Sequence, residues 1–251
     1  MMIFFFFCHR SLFYLFFYPG IMCRMFAYKG ESMEDLQSLY LALSESAKND
    51  NIAKNFGINP VHGDGWGYVI YNRQTIYTYK TEKPIFSDSI SIPTITGEFL
   101  AIFHARQASD KTTVSSIFSH PFFGSDQRYL YFFAHNGHIS EESLMKELNF
   151  SGKTTDSEMA LQYITRKGLE KALPELERMT LSALNILILR IDKSNGNAEV
   201  FYENYYLNKE RSEYYDMFEV KLSKGNAVVS STLTQRFNEK QKVDFGKLEQ
   251  L

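Results

Sequence analysis

Met22-Cys23-Arg24-Met25-Phe26-Ala27-Tyr28 is the stretch whose reading decides this chain. A cysteine directly after an internal methionine becomes the first residue of any chain that starts at Met22 and then loses it. An N-terminal cysteine has what no internal cysteine has, a free α-amino group within a few bonds of its thiol. The amine titrates at about 7.7–8.0 and the thiol at about 8.5, so near neutral pH part of the amine is unprotonated and can take the thiol proton. Nucleophile and base then come in one residue. Inside a chain the same nitrogen is an amide and has no basicity to offer.

Upstream, Met1 to Met22 is crowded with Phe4, Phe5, Phe6, Phe7, Phe13, Phe16 and Phe17, a composition that the chain does not repeat. A secretory signal needs a basic region before its apolar stretch and small residues before the cut. Here Arg10 interrupts the run and Ile21-Met22 precede Cys23. Bulky Met22 argues against a lipoprotein signal in the same way. A membrane-spanning helix needs roughly 20 mostly apolar residues, and this run carries Cys8-His9-Arg10-Ser11 inside it. The reading adopted is translation from Met22 with removal of that methionine, so that 1–22 is a non-native or removed extension and 23–251 is the working domain.

Downstream, no Pro/Gly/Ser-rich linker divides the chain, and its length suits one large domain. A hydrophobic fraction of 44% can supply a substantial core, and a net charge of -2 without a basic run offers no nucleic-acid footprint. If the chain starts at Met22, Cys23 is its one cysteine, no internal disulfide can form, and the expected compartment is the reducing cytoplasm.

Cys23 to Tyr28 reads as a strand with the cysteine at its open end. Leu36, Leu39, Tyr40, Leu43 and Ala47 recur at helical spacing. His62-Gly63-Asp64-Gly65-Trp66-Gly67 is a glycine-rich turn running into a strand, and Thr75 to Lys80 reads as that strand's partner. Phe99 to Arg106 and Arg128 to His135 are apolar strands that deliver polar residues at their ends. Ser140 reads as a helix cap, and Thr155-Asp156-Ser157-Glu158 opens another helix. Leu169 to Met179 is a further helix that Pro174 should disturb. Leu181 to Ile191, Ala198 to Tyr202, Phe218 to Leu222 and Ala227 to Ser231 return to strands. Strand groups at both ends with helices between predict two stacked sheets covered by helices.

The ordered set Met22-Cys23-Arg24, His62-Gly63-Asp64-Gly65-Trp66-Gly67, His104-Ala105-Arg106, His120-Pro121, His135-Asn136-Gly137 and Thr155-Asp156-Ser157-Glu158 resembles the class II glutamine amidotransferases, a family of N-terminal-nucleophile hydrolases. It is most similar to their stand-alone type, which includes the ergothioneine-pathway γ-glutamyl amidohydrolase. The resemblance implies an α+β fold, a four-layer αββα sandwich with the cysteine at the end of an inner strand. It implies Cys23 as nucleophile and, through its amine, base. Asn136 and Gly137 match the oxyanion hole, Arg106 the arginine that grips the substrate α-carboxylate, and Asp156 the acid that pairs with the α-ammonium. Trp66 and Gly67 resemble the turn lining the pocket.

The expected reaction is cleavage of the γ-carboxamide of glutamine, or of a γ-glutamyl amide, through a γ-glutamyl thioester, with no cofactor. Gln107 stands where the hexosamine-forming relatives have tryptophan. No synthase domain is encoded in the residues given, so the expected partner is a separate ammonia-accepting synthase subunit, or none if the chain acts alone.

Each residue also has a plainer reading. Arg106 alone is a surface or salt-bridging arginine, Asn136-Gly137 alone a hairpin signal, Asp156 alone a helix N-cap. His135-x-x-His138 and His62-x-Asp64 could hold a metal by spacing, but without a His-Glu-x-x-His helix they read as structural histidines. If Met1 to Met22 is retained, the alternative is a membrane-tethered or catalytically inactive ligand-binding relative.

Overall fold

Two antiparallel sheets lie face to face between two layers of helices in the computed structural model, which describes residues 22–251. The extension read over 1–22 lies outside the described residues except for Met22. The first sheet runs in the order β11 (Lys240–Lys242), β9 (Met217–Lys221), β10 (Gly225–Ser230), β1 (Arg24–Gly30), β4 (Phe99–Ala105), β2 (Trp66–Tyr71), β3 (Ile76–Thr81). The second runs β12 (Glu249–Gln250), β8 (Ala198–Glu203), β7 (Thr180–Asp192), β6 (Tyr129–Ile139), β5 (Phe122–Ser125). This is the expected αββα sandwich.

The alternation of β1 explains its central place. Phe26 and Tyr28 point to the outer helix α1 (Met33–Lys48), where they meet Leu36, Leu39 and Leu43. Met25 and Ala27 point the other way and join Val69, Ile102, Ala134, Leu187 and Val200 between the sheets. Burying each large apolar side chain contributes about 1.5–3 kcal/mol, so both faces of β1 are committed. Ser32 caps α1 by accepting from Asp35 N–H at 3.1 Å. On the far side, α3 (Glu141–Leu148), α4 (Asp156–Lys167) and α5 (Leu169–Met179) cover the second sheet through Leu144, Met159, Ile164 and Leu173.

Two local expectations differ from the structure. β6 does not end at His135 but continues to Ile139, because Asn136 and Gly137 still pair with Asn185 and Leu184 of β7 before a bulge at Gly137/Ile139. The Asn-Gly pair is therefore not a hairpin turn. Helix α5 runs through Pro174. One lost backbone hydrogen bond is outweighed there by the burial of Leu169, Ala172, Leu173 and Leu176 on one face. The short elements α2 (Asn51–Asn55), α6 (Ser212–Tyr215), β5, β11 and β12 gave no period to read.

Candidate active site

Cys23 stands immediately before β1 and, by alternation, on the same face as Met25, so its side chain enters the layer between the sheets at its open end. The backbone N–H of Gln107 donates to the Cys23 sulfur at 3.3 Å, and the thiol faces the Gln107 carbonyl at 3.6 Å. Asn136 holds the cysteine backbone from the second sheet. Its Oδ1 accepts from Cys23 N–H at 2.5 Å and its Nδ2 donates to the Cys23 carbonyl at 2.8 Å. Burial pushes the thiol pKa up to about 11, against the opposing pull of the Gln107 N–H and the Arg106 and Arg24 guanidinium groups. At neutral pH the thiol so placed is protonated.

A cavity of about 360 Å³ opens over Cys23, and its walls include Arg106, Gly137, Asp156, His120 and His135. Arg106 is buried, with Nη1 donating to the Thr113 carbonyl at 2.8 Å and Nη2 to Thr113 Oγ1 at 2.7 Å, so the guanidinium plane is fixed. Asp156 opens α4 behind the cap Thr155, whose hydroxyl accepts from Glu158 N–H at 3.2 Å. Its carboxylate accepts from Ile139 N–H at 2.9 Å and Ser157 N–H at 2.7 Å and lies 3.3 Å from His138 Nδ1. Burial resists ionisation of Asp156, yet His138, His135 and the Ile139 N–H together hold its pKa below the usual carboxylate value. The hydrogen bond to Asp156 raises the pKa of His138. The cavity thus sets a cation and an anion around a thiol, a match for a small zwitterion.

Residues 22–201 match the family model described as glutamine amidotransferases class-II. The chain belongs to the class II glutamine amidotransferases. Among solved structures it is similar to glutamine phosphoribosylpyrophosphate amidotransferase from B. subtilis, at 16% identity and a TM-score of 0.58, covering 91% of this chain and 49% of that one. It is likewise similar to a structure described as the allosteric regulatory enzyme of purine biosynthesis, at 18% identity and a TM-score of 0.62, covering 91% of this chain and 46% of that one. The chain spans about half the length of these two structures, and at such identities the likeness is one of fold. No curated protein gives a significant match to the chain.

Not every residue singled out in this amidotransferase by sequence reaches the cavity. Cys23, Arg106, Gly137 and Asp156 line it; Trp66, Gly67 and Asn136 are not among its lining residues. Trp66 is wholly buried in the outer core against Tyr40, Tyr79 and Phe103, its indole N–H donating to Asp88 at 3.0 Å. The expectation that the Trp66-Gly67 turn lines the pocket is therefore corrected: bulk and apolarity draw the indole into the helix–sheet core. A Cβ on Gly67 would stand 2.4 Å from the Tyr79 carbonyl and 2.5 Å from that of His120, so only glycine lets those backbones pass. Gly137, at φ +145°, is needed similarly, since its Cβ would meet the Ala183 carbonyl at 1.9 Å.

Sequence reasoning missed three features. Gln107 was read only for its side chain, whereas its backbone touches the thiol. Arg24 is fully buried under Cys23: its Nε lies 2.5 Å from Asp50 Oδ2, its Nη1 donates to the Cys23 carbonyl at 3.2 Å, and it faces the Tyr214 ring at 4.4 Å. Asp50 also caps α2 through Ala53 N–H at 2.9 Å, accepts from Thr232 Oγ1 at 2.9 Å and meets His62 Nε2 at 3.1 Å. Burial opposes the charge on Asp50, but Arg24 and His62 hold its pKa far below the usual value. The third is the packing of His104 against His120, ring centroids 4.1 Å apart. Among the described residues, no group of three or more His, Cys, Asp or Glu is arranged to hold a metal, and no helix is long and apolar enough to cross a membrane.

Proposed function

We propose that this class II amidotransferase hydrolyses the γ-carboxamide of glutamine or a γ-glutamyl amide, with Cys23 as nucleophile once it stands at the N-terminus of a domain spanning 23–251. The observation that carries the reading is one cavity holding the Cys23 thiol, the anchored Arg106 guanidinium and the ionised Asp156 carboxylate. Arg106 takes the substrate α-carboxylate and Asp156 its α-ammonium, which directs the γ-carboxamide towards sulfur. The freed amine of Cys23 removes the thiol proton, thiolate attacks the amide carbon, and Gly137 N–H with the Asn136 amide receives the oxyanion. For this, Asn136 Nδ2 leaves the Cys23 carbonyl while Oδ1 keeps the amine. Ammonia departs with the proton held by the amine, and water resolves the thioester. A reducing compartment such as the cytoplasm suits a free-thiol nucleophile, and a separate synthase subunit is the natural acceptor of the ammonia.

A second reading is favoured by one observation. Met22 is wholly buried among Ile52, Ala183, Tyr206 and Tyr214, with its N–H donating to Tyr214 Oη at 3.2 Å. A chain that keeps Met22 fits this pocket, and its cysteine has no amine, so the cavity would bind a ligand without turnover. Ammonia release from glutamine, measured beside the intact mass of the same sample, separates the two. The expected result is a mass beginning at Cys23, ammonia release, and its abolition in Cys23→Ala. Unchanged release in Cys23→Ala would end the hydrolase reading, and a retained Met22 with glutamine bound in calorimetry but no ammonia released would support the binding one.

A further inference from the structure

Met22 fills an apolar pocket whose walls are braced by other groups. Its side chain is wholly buried and clusters with Ile52, Ile58, Ala183, Tyr206, Tyr214 and Tyr215. Tyr206 stacks on Tyr215 at 5.3 Å between ring centroids and donates its hydroxyl to Asp216 Oδ1 at 2.8 Å. Tyr215 packs edge-on against Tyr214 at 5.6 Å, and its carbonyl accepts from Asn185 Nδ2 at 2.6 Å. The Arg24 guanidinium lies over the Tyr214 ring from another side. A core that loses one side chain relaxes only partially, so removal of Met22 takes away the occupant and leaves these walls. One polar group inside answers to Met22 itself. Tyr214 Oη accepts from Met22 N–H at 3.2 Å and donates to the Met22 carbonyl at 3.4 Å. Burial pushes its pKa up to about 12, so the hydroxyl stays neutral and can both donate and accept.

The pocket adjoins the reaction cavity through a covalent bond. The Met22 carbonyl carbon is bonded to the Cys23 nitrogen, Cys23 lines the cavity, and so does Ser182, the neighbour of Ala183 in the pocket wall. In a chain that begins at Cys23, the space that Met22 held therefore starts at the Cys23 amine. That amine hands its proton to the departing nitrogen, so the departing nitrogen stands against it. Any substituent on that nitrogen then has the Met22 space beside it, while Arg106 and Asp156 hold the other end of the substrate in the cavity.

We propose that the Met22 pocket is the leaving-group site of the processed enzyme, and that it selects γ-glutamyl amides of apolar primary amines whose chain is about as long as a methionine side chain. This rests on the reading of Cys23 as the N-terminal nucleophile. In the step itself the Cys23 sulfur bonds to the γ-carbonyl carbon and the carbon–nitrogen bond breaks. The amine departs as R–NH2 with the proton that the Cys23 amine took from the thiol, and water then releases glutamate and restores the thiol. The substituent R lies among Ile52, Ile58 and the tyrosine rings. Tyr214 Oη, without its Met22 partners, regains one by accepting from the N–H of the scissile amide. Each methylene moved from water into the pocket is worth about four-fold in kcat/KM, and ammonia gains none of this. The charge of Arg24 is already paired with Asp50, so a leaving group with its own carboxylate is buried there without a free counter-charge.

The test is a substrate series on the protein as purified, its start read by intact mass. Glutamate release is measured from glutamine and from the γ-glutamyl methyl-, ethyl-, propyl-, butyl- and octylamides. kcat/KM should rise about four-fold per methylene from methyl to butyl and fall at octyl, which outruns the pocket. γ-Glutamyl-methionine, of similar length but with a carboxylate, should be a poorer substrate than the butylamide. Ile52→Phe, which fills the pocket from α2, should lower the ratio of butylamide to glutamine kcat/KM about ten-fold, and Ile58→Phe carries this arm if the first variant does not fold. A chain that begins at Cys23 and cleaves glutamine, yet shows a flat or falling series, overturns the proposal and leaves the hydrolase reading standing. A preference for γ-glutamyl-methionine over the butylamide, or a ratio that neither variant moves, overturns it as well. A chain that releases glutamate from none of these substrates fails at the earlier reading and removes this one with it.

Discussion

At the scale of single residues, Asp156 and His138 form a pair whose two pKa shifts have opposite signs. Asp156 is lowered from an ordinary 3.8, so its contribution to stability is present above that value and is lost as pH falls through the lower folded pKa. His138 is raised from 6.5, so its contribution is full below that value and is lost as pH rises through the higher folded pKa. The pair therefore stabilises most between these two ordinary values. Urea unfolding of the wild type and of His138→Gln across pH should show a stability difference that shrinks on the alkaline side of 6.5. A difference that stays constant there would remove the pair as the cause. The Cys23 thiol obeys the same rules, since burial raises it, and in the proposed reaction a freed Cys23 amine would be the base that takes its proton.

At the scale of elements, the continuation of β6 beyond His135 is what carries Asn136 under Cys23 and Gly137 into the cavity wall. The long β6–β7 ladder overrides the turn preference of Asn-Gly, because paired backbone groups between two buried strands outweigh a local propensity. Gly137→Ala puts a methyl group into the Ala183 carbonyl at a backbone angle that L-residues rarely adopt. It should lower stability by about 2–4 kcal/mol in denaturant unfolding, and activity should fall with it if β6 is displaced. A variant as stable as the wild type would mean that β7 yields at Ala183. The Gly65-Trp66-Gly67 turn illustrates the converse. Its glycines admit the neighbouring backbones, its tryptophan fills the outer core, and the element serves the cavity from behind, with the Gly65 carbonyl accepting from Arg106 N–H at 2.8 Å and Gly67 leaving room for the His120 carbonyl.

At the scale of the whole molecule, Arg24 and Asp50 tie the end of β1 to the junction of α1 and α2, to the His62 loop and to Thr232 near the C-terminus. Both side chains are fully buried, so removing one leaves the other as an uncompensated charge. Arg24→Met should cost about 3–5 kcal/mol in urea unfolding, and a loss below 1 kcal/mol would show that water or a rearranged partner reaches Asp50. Much of the molecule was legible beforehand. The Cys23–Tyr28 strand, the spacing of Leu36, Leu39 and Leu43, the cap Ser140 and the long apolar run before Asp192 are local patterns, and they set the order of elements and the two-sheet sandwich, whereas the cap of α4 proved to be Thr155 rather than Asp156. The cysteine, arginine, Asn-Gly and aspartate motifs were legible as an ordered set on the same footing. What only the tertiary structure decided were the meetings between distant residues: Gln107 backbone at the thiol, Asn136 holding the cysteine backbone, Arg24 on Asp50, Trp66 turned into the outer core, and His120 packed without a hydrogen bond. Local propensity depends on neighbours along the chain, whereas burial and pairing depend on which surfaces two sheets bring together once they close.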